Sequence, residues 1–156
     1  MAIKRILVPV DFSADSLDAL AYARDFAKPF GAELFILSVV EPIYYATPAD
    51  MYVPSPNVAM LLDEQRRSAT QHLNRIGADL KKRRRRFRTA VKVGSPAQVI
   101  VDTAKGSDMI IMATHGRTGL AHMLMGSVAE KVVRTAACPV LTVRRAGAKR
   151  VRRKKG

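Results

Sequence analysis

Short apolar runs alternate with amphipathic stretches along this chain. The first run, "IKRILVPVD", is continuously apolar from Ile6 to Val10, as in a parallel strand that is covered on both faces. The following residues predict a helix with Ser13 as its N-cap and Pro29 and Gly31 at its end. The apolar face of this helix consists of Leu17, Leu20, Ala23, Ala27 and Phe30. A second buried strand, "ELFILSVVE", comes next.

The alternation continues after a loop, "PIYYATPADMYVPSPN", which holds four prolines. A long helix is predicted by the apolar positions Leu62, Ala69, Leu73, Ile76 and Leu80. The third strand, "RTAVKVG", alternates between apolar and polar residues, which is typical of a strand near a sheet edge. A compact helix should follow, with Ser95 as its N-cap and Pro96 at its first position.

The remaining elements are a strand "DMIIMAT", a helix from about Ser127 to Thr135, and a strand "PVLTVR". The resulting order, βαβαβαβαβ, predicts an α/β fold in which helices cover both faces of an open parallel sheet. A length of 156 residues fits one domain of this kind. The single cysteine, Cys138, excludes an internal disulfide, and the start of the chain lacks the apolar region of a signal peptide. We therefore expect a cytoplasmic protein without a membrane span.

The net charge of +14 is concentrated in two segments without acidic residues. Residues 81–88 hold seven of the 27 basic residues and residues 144–156 hold eight. The rest of the chain has twelve basic and thirteen acidic residues, so its body is close to neutral. We expect both segments to contact polyanions such as nucleic acid without specificity, or else to be a solvated helix end and a disordered tail.

One irregular stretch, "MATHGRTGLAHMLMGSVAEKV", leaves the fourth strand and enters the last helix. In an open parallel sheet, ligands bind beyond the carboxyl ends of the strands, where the strand order reverses. Glycines and a helix N-terminus at that edge favour phosphate, because unpaired amides can approach the anion. However, Ser127 to Glu130 also fit a capping box, which needs no ligand. The spacing alone leaves both interpretations open.

The motif formed by Ala113, Gly116, Gly126 and Ser127, with "ILVPVDFS" near the start and "CPVLTVR" near the end, resembles the universal stress protein family. The resemblance covers about residues 2–145 and is to the ATP-binding branch. It implies a five-stranded parallel sheet of order 3-2-1-4-5, a Rossmann-like sandwich, and pairing of two chains through the fifth strand. The family motif usually begins with glycine, and Ala113 replaces it here.

The resemblance also implies a nucleotide site. In the ATP-binding branch, the acid after strand one contacts the adenosine, the valine after strand two meets the adenine through its backbone, and the glycine loop wraps the phosphates. The residues so implied for ATP, with or without Mg²⁺, are Pro9, Val10, Asp11, Val39, Ala113, His115, Gly116, Arg117, Gly126, Ser127 and Val128.

Enzymatic signatures do not accompany this loop. The chain has no G-x-x-x-x-G-K-[ST] or G-x-G-x-x-G motif, no Cys or carboxylate at metal-ligand spacing from its histidines, and no base near Cys138. We therefore predict no metal site and no catalysis. An enzyme that slowly hydrolyses ATP or transfers a nucleotidyl group ranks below the two functional hypotheses that follow.

The sequence leads to two functional hypotheses. The first is an ATP-binding stress-response or signalling module in residues 1–145, which forms a homodimer through residues 139–144 and carries a disordered basic tail in residues 146–156. The alternative is a stress protein associated with polyanions, through residues 81–88 and 144–155, whose nucleotide site is empty or takes another nucleotide.

Overall fold

The computed structural model describes residues 2–42, 56–116 and 125–144, without the side chains of residues 56 and 57. Its strands are β1 (Arg5–Pro9), β2 (Glu33–Val40), β3 (Phe87–Val93), β4 (Met109–Ala113) and β5 (Val140–Val143). Its helices are α1 (Ala14–Ala27), α2 (Pro56–Lys82), α3 (Pro96–Ala104) and α4 (Ser127–Thr135). The five strands are parallel and lie in the order β3-β2-β1-β4-β5. The predicted α/β class, strand order and edge positions of β3 and β5 are therefore confirmed.

Each face of the sheet is covered by one pair of helices. Side chains alternate between the faces of a strand, so neighbouring residues such as Ile6 and Leu7 enter different core layers. One layer packs the sheet against α1 and α2, and the other packs it against α3 and α4. All five residues of β4 are buried, which explains its continuously apolar sequence.

Local signals account for the starts of two helices, α1 after Ser13 and α3 at Pro96. The Ser13 hydroxyl accepts a hydrogen bond from the amide of Ser16 at 3.2 Å, as expected for an N-cap.

The apolar face predicted for α1 differs from the buried face of the structure. The helix ends at Ala27, and Phe30 and Leu17 are 49% and 41% exposed. The prediction that Leu17 and Phe30 belong to the buried face was wrong, because α1 lies close to the sheet through small residues such as Ala23.

No helix of the described residues is long and apolar enough to cross a bilayer. The predicted boundary between the domain and the basic tail lies outside the described residues, as does most of the proline-rich loop.

Candidate functional site

The strand order reverses between β1 and β4, and this reversal brings Asp11 and Gly116 together. Asp11 follows β1, and Gly116 is the third residue after β4. A Cβ atom added to Gly116 would stand only 2.6 Å from Oδ2 of Asp11. The carboxylate therefore borders the glycine loop, at the edge of the sheet where open α/β folds bind ligands.

Asp11 is held by the turn into α1. Its Oδ1 accepts hydrogen bonds from the amide of Ser13 at 3.0 Å and from the Ser13 hydroxyl at 2.6 Å. Phe12 has a φ of 65°, a backbone conformation that residues other than glycine rarely adopt. Its ring stacks on the His72 ring of α2, with 4.8 Å between the ring centroids. Backbone strain of this kind concentrates at functional sites. Neither Phe12 nor Ser13 was predicted from the sequence as part of the site.

Thr114 holds the two ends of the glycine loop together. Its amide donates to the carbonyl of Val143 at 3.1 Å, and its carbonyl accepts from the amide of Gly126 at 2.8 Å. Its buried hydroxyl lies 3.0 Å from Nδ1 of His115. Thr114 was not predicted as part of the site, because a threonine after a buried strand carries no distinctive signal. Arg117 and the rest of the loop up to residue 124 lie outside the described residues.

Helix α4 begins at Ser127 without a side-chain cap. The N-cap position belongs to Gly126, so the capping-box interpretation, which needs Ser127 as the N-cap, is wrong. Glu130 forms an ion pair with Arg134 instead. Since the Gly126 amide is bound to Thr114, the amides offered to a ligand are those of the first helical turn, including Ser127 and Val128.

Gly126 is not required by the backbone. Its φ of −74° and ψ of 156° suit any residue, and an added Cβ would meet its nearest neighbour, the Thr114 carbonyl oxygen, at an ordinary 3.4 Å. Glycine leaves the backbone next to the helix N-terminus without a side chain. The missing side chain lets an anion approach the amides and the positive end of the helix dipole.

The backbone of Val39 is directed toward the same crevice. The carbonyl of Leu37 accepts from the amide of Val10 on the β1 side, and the carbonyl of Val40 accepts from Gly94 on the β3 side. Because successive residues of a strand point their backbone groups to opposite sides, Val39 points toward β1. The pairing of β1 with β2 ends at Pro9, opposite Leu37, so the backbone groups of Val39 lie past the paired part of β1.

The methyl group of Ala113 is directed into the core. Ala113 is the last residue of β4 and is buried, and its side chain shares a face with Ile111, which packs toward α1 and α2. Substitution of glycine by alanine at this motif position therefore places the extra carbon in the protein interior.

Cys138 and the possible metal ligands among the described residues show no sign of an activated thiol or a metal site. Burial raises the pKa of the half-buried Cys138 thiol, which keeps it protonated near neutral pH. No group of three or more described histidine, cysteine or acidic residues is placed to hold a metal ion.

Residues 2–144 match the model of the universal stress protein family. The chain belongs to this family. It is 35% identical to the universal stress protein MJ0531 of Methanocaldococcus jannaschii over 145 residues, covering 91% of this chain and 82% of that protein. It is 32% identical to the universal stress protein YxiE of Bacillus subtilis, covering 90% of this chain and 98% of that protein. The structure of the universal stress protein UspA from Lactobacillus plantarum has a TM-score of 0.82 at 28% identity, covering 92% and 99% of the two chains.

Two universal stress proteins of the same fold have been crystallised with nucleotides. One is in complex with cAMP, with a TM-score of 0.59 and 24% identity over 94% of this chain and all of that chain. The other, from Arabidopsis thaliana, has AMP bound, with a TM-score of 0.63 and 19% identity over 94% of both chains. At these identities the likeness shows the fold alone.

Proposed function

We propose that this universal stress protein binds ATP at the carboxyl ends of β1 and β4 and acts as a nucleotide-dependent stress-response or signalling module. The observation that carries the proposal is the placement of Asp11 beside Gly116, at the switch point of the sheet and in the same crevice as the start of α4. The complexes of related proteins with AMP and cAMP support an adenine nucleotide as the ligand class.

The residues fit the parts of an adenine nucleotide. The Asp11 carboxylate accepts hydrogen bonds and suits the ribose hydroxyls. The backbone groups of Val39, which point toward β1, suit the edge of the adenine. The amides of Ser127 and Val128 at the start of α4 suit the phosphates, and His115 and Arg117 belong to the loop that would cover them. Mg²⁺ would accompany ATP as the counter-ion of its phosphates.

The test is a Gly126→Val variant measured by calorimetric titration with ATP. The valine side chain would fill the space in front of the first helical turn, and we expect affinity to fall roughly tenfold or more, which is about 1.4 kcal/mol. Ser95→Val is the matched control, because Ser95 also caps a helix without a side-chain hydrogen bond and lies beyond β3. The control should bind ATP as the parent does. Equal affinity of the Gly126→Val variant and the parent would refute the assignment of the phosphates to this loop.

A second titration identifies the nucleotide. If AMP or cAMP binds the parent protein more tightly than ATP, and Gly126→Val leaves their affinity unchanged, the triphosphate is not the physiological ligand.

A further inference from the structure

The turn between α2 and β3 carries a dense cluster of positive charge. We call residues 81–86 together with Arg88 the basic turn. All seven are lysine or arginine, and six are exposed, Arg85 being half-buried. The apolar residue among them, Phe87, packs against the core that α1 and α2 cover. The surface of the turn therefore offers charge without an apolar side chain.

The backbone of the turn would favour a glycine where the chain has Arg84. The Arg84 amide donates to the carbonyl of Lys81, and the Arg85 amide donates to the carbonyl of Leu80, each at 3.0 Å. These bonds form a Schellman motif, and Arg84 occupies its left-handed position with a φ of 52°. Glycine adopts this conformation without strain, whereas arginine does not. The arginine adds charge at this position although it strains the fold.

Nearby acidic groups of the described residues reach only two of the seven cations of the basic turn, Arg83 and Arg88. Asp79 pairs with Arg83 at 2.8 Å, and Asp25 pairs with Arg24 at 3.1 Å. Glu33 pairs with Arg5 at 3.1 Å and reaches Arg88 only at 4.0 Å. Within the part of the chain that the structure describes, no carboxylate lies within 4.0 Å of the five remaining cations of the turn. These are Lys81, Lys82, Arg84, Arg85 and Arg86.

The positive surface continues onto the end of α1. Arg24 lowers the pKa of Asp25, and Arg85 and Lys28 contribute to the same shift. The carboxylate of Asp25 thus lies among cations of both α1 and the basic turn. Lys28 extends the patch beyond residues 81–88.

The basic turn lies at the opposite end of the sheet from the nucleotide site. It joins the end of α2 to the start of β3, so it borders the amino ends of the strands, whereas Asp11 and Gly116 follow the carboxyl ends of β1 and β4. The first residue of the other basic segment, Arg144, follows β5 at the carboxyl end. The basic turn and Arg144 therefore lie at opposite ends of the sheet.

We propose that the basic turn is a binding surface for nucleic acid, which it contacts through the phosphates of the backbone without reading bases. Five cations without acidic partners are the groups that replace condensed counterions on a polynucleotide. Five of the seven residues are arginine, whose planar guanidinium binds phosphate oxygens in pairs. An anionic membrane is a poorer fit, because surface-binding segments combine cations with an exposed apolar face.

The experiment compares two full-length variants that lose the same number of charges. One replaces Lys82, Arg84, Arg85 and Arg86 by glutamine, and the control replaces Arg66, Arg67, Arg75 and Lys131, which are exposed elsewhere. Binding of a fluorescein-labelled oligothymidylate is followed by anisotropy over a series of salt concentrations. Each phosphate contact to a single strand contributes about 0.7 to the salt slope, so the slope should fall by roughly three in the first variant. The control should keep most of the parent's slope and affinity.

Several results would overturn the proposal. Equal losses in both variants would mean that binding follows net charge or the carboxyl-terminal segment, and unchanged binding in the first variant would mean that the turn is only solvated. Parent protein that binds phosphatidylserine vesicles but not the oligonucleotide would assign the turn to membranes. Arg84→Gly removes one charge and suits the backbone, so it tests the turn with a variant that should fold as the parent does. It should lower oligonucleotide affinity by less than the fourfold replacement does. Gly126→Val should leave oligonucleotide affinity unchanged, which separates this proposal from the nucleotide site.

Discussion

Gly116 and Asp11 approach each other so closely that no side chain fits between them. A Cβ atom at residue 116 would stand 2.6 Å from Oδ2 of Asp11, while Oδ1 of the same carboxylate is bound by Ser13. A side chain at residue 116 would force the carboxylate to shift, which would strain its hydrogen bonds to Ser13. The glycine thus sets the position of the acidic group that we assign to the ribose.

This contact predicts the effect of Gly116→Ala. We expect the methyl group to displace the Asp11 carboxylate, weaken its hydrogen bonds to Ser13, and lower the free energy of unfolding by about 1–2 kcal/mol. ATP affinity should fall as well. Gly106→Ala is the control, because a Cβ there would meet its nearest atom, an Arg5 side-chain nitrogen, at 3.5 Å. Urea unfolding and ATP titration measure both effects, and equal stability of the two variants would contradict the described contact.

Arg84→Gly should stabilise the protein. Arg84 has a φ of 52°, so replacing it by glycine relieves backbone strain in the folded state. This gain should exceed the stability lost because glycine increases the conformational entropy of the unfolded chain. We expect the free energy of unfolding to rise by about 0.5–1 kcal/mol in urea denaturation. Arg86→Gly is the comparison, since Arg86 has no positive φ and should lose stability through added chain entropy. A destabilised Arg84→Gly variant would show that the arginine side chain holds the turn.

The edge of β5 predicts a twofold dimer. The carbonyls of Pro139 and Val143 bind amides at the ends of β4, so the backbone groups of Val140 and Thr142 point away from the sheet. An unpaired strand edge can join a symmetric copy. Thr142→Pro removes an outward amide from each subunit and should weaken the dimer about thirtyfold, whereas Thr142→Val should not. Sedimentation analysis measures this, and a monomeric parent protein would refute the dimer.

We predict that bound ATP is not turned over at enzymatic rates. The Asp11 carboxylate is engaged by Ser13 and borders Gly116, and burial keeps the Cys138 thiol protonated. Two hydroxyls beside the loop lie next to a possible base, but Ser13 is engaged as the N-cap of α1 and Thr114 is buried, so we expect neither to attack ATP. Phosphate release should stay far below about 1 per second in a coupled assay. Faster release that disappears in Asp11→Asn would overturn this prediction and assign a catalytic role to the carboxylate.

The sequence predicted the elements well, because their signals are local. Hydrophobic runs predicted β1, β2 and β4. Ser13 as N-cap predicted the start of α1, and the proline at residue 96 predicted the start of α3. The weak alternation of β3 indicated an edge strand, since helices cover the faces of such a strand less completely and leave part of its side chains exposed. The resemblance to the family supplied the strand order and the candidate residues of the site, which no periodicity contains.

Contacts between distant residues decided the rest. The sequence by itself determined which residues form strands, helices and glycine-rich turns, because spacing and caps act over a few residues. Only the tertiary structure decided that Asp11 lies against Gly116 and that the Thr114 carbonyl accepts a hydrogen bond from the Gly126 amide. It also showed that Gly126, and not Ser127, is the N-cap of α4. It further placed the basic turn and Arg144, the first residue of the other basic segment, at opposite ends of the sheet. The contact of Asp11 with Gly116 depends on the pairing of β1 with β4, whose residues lie about a hundred positions apart, and local patterns do not record that pairing.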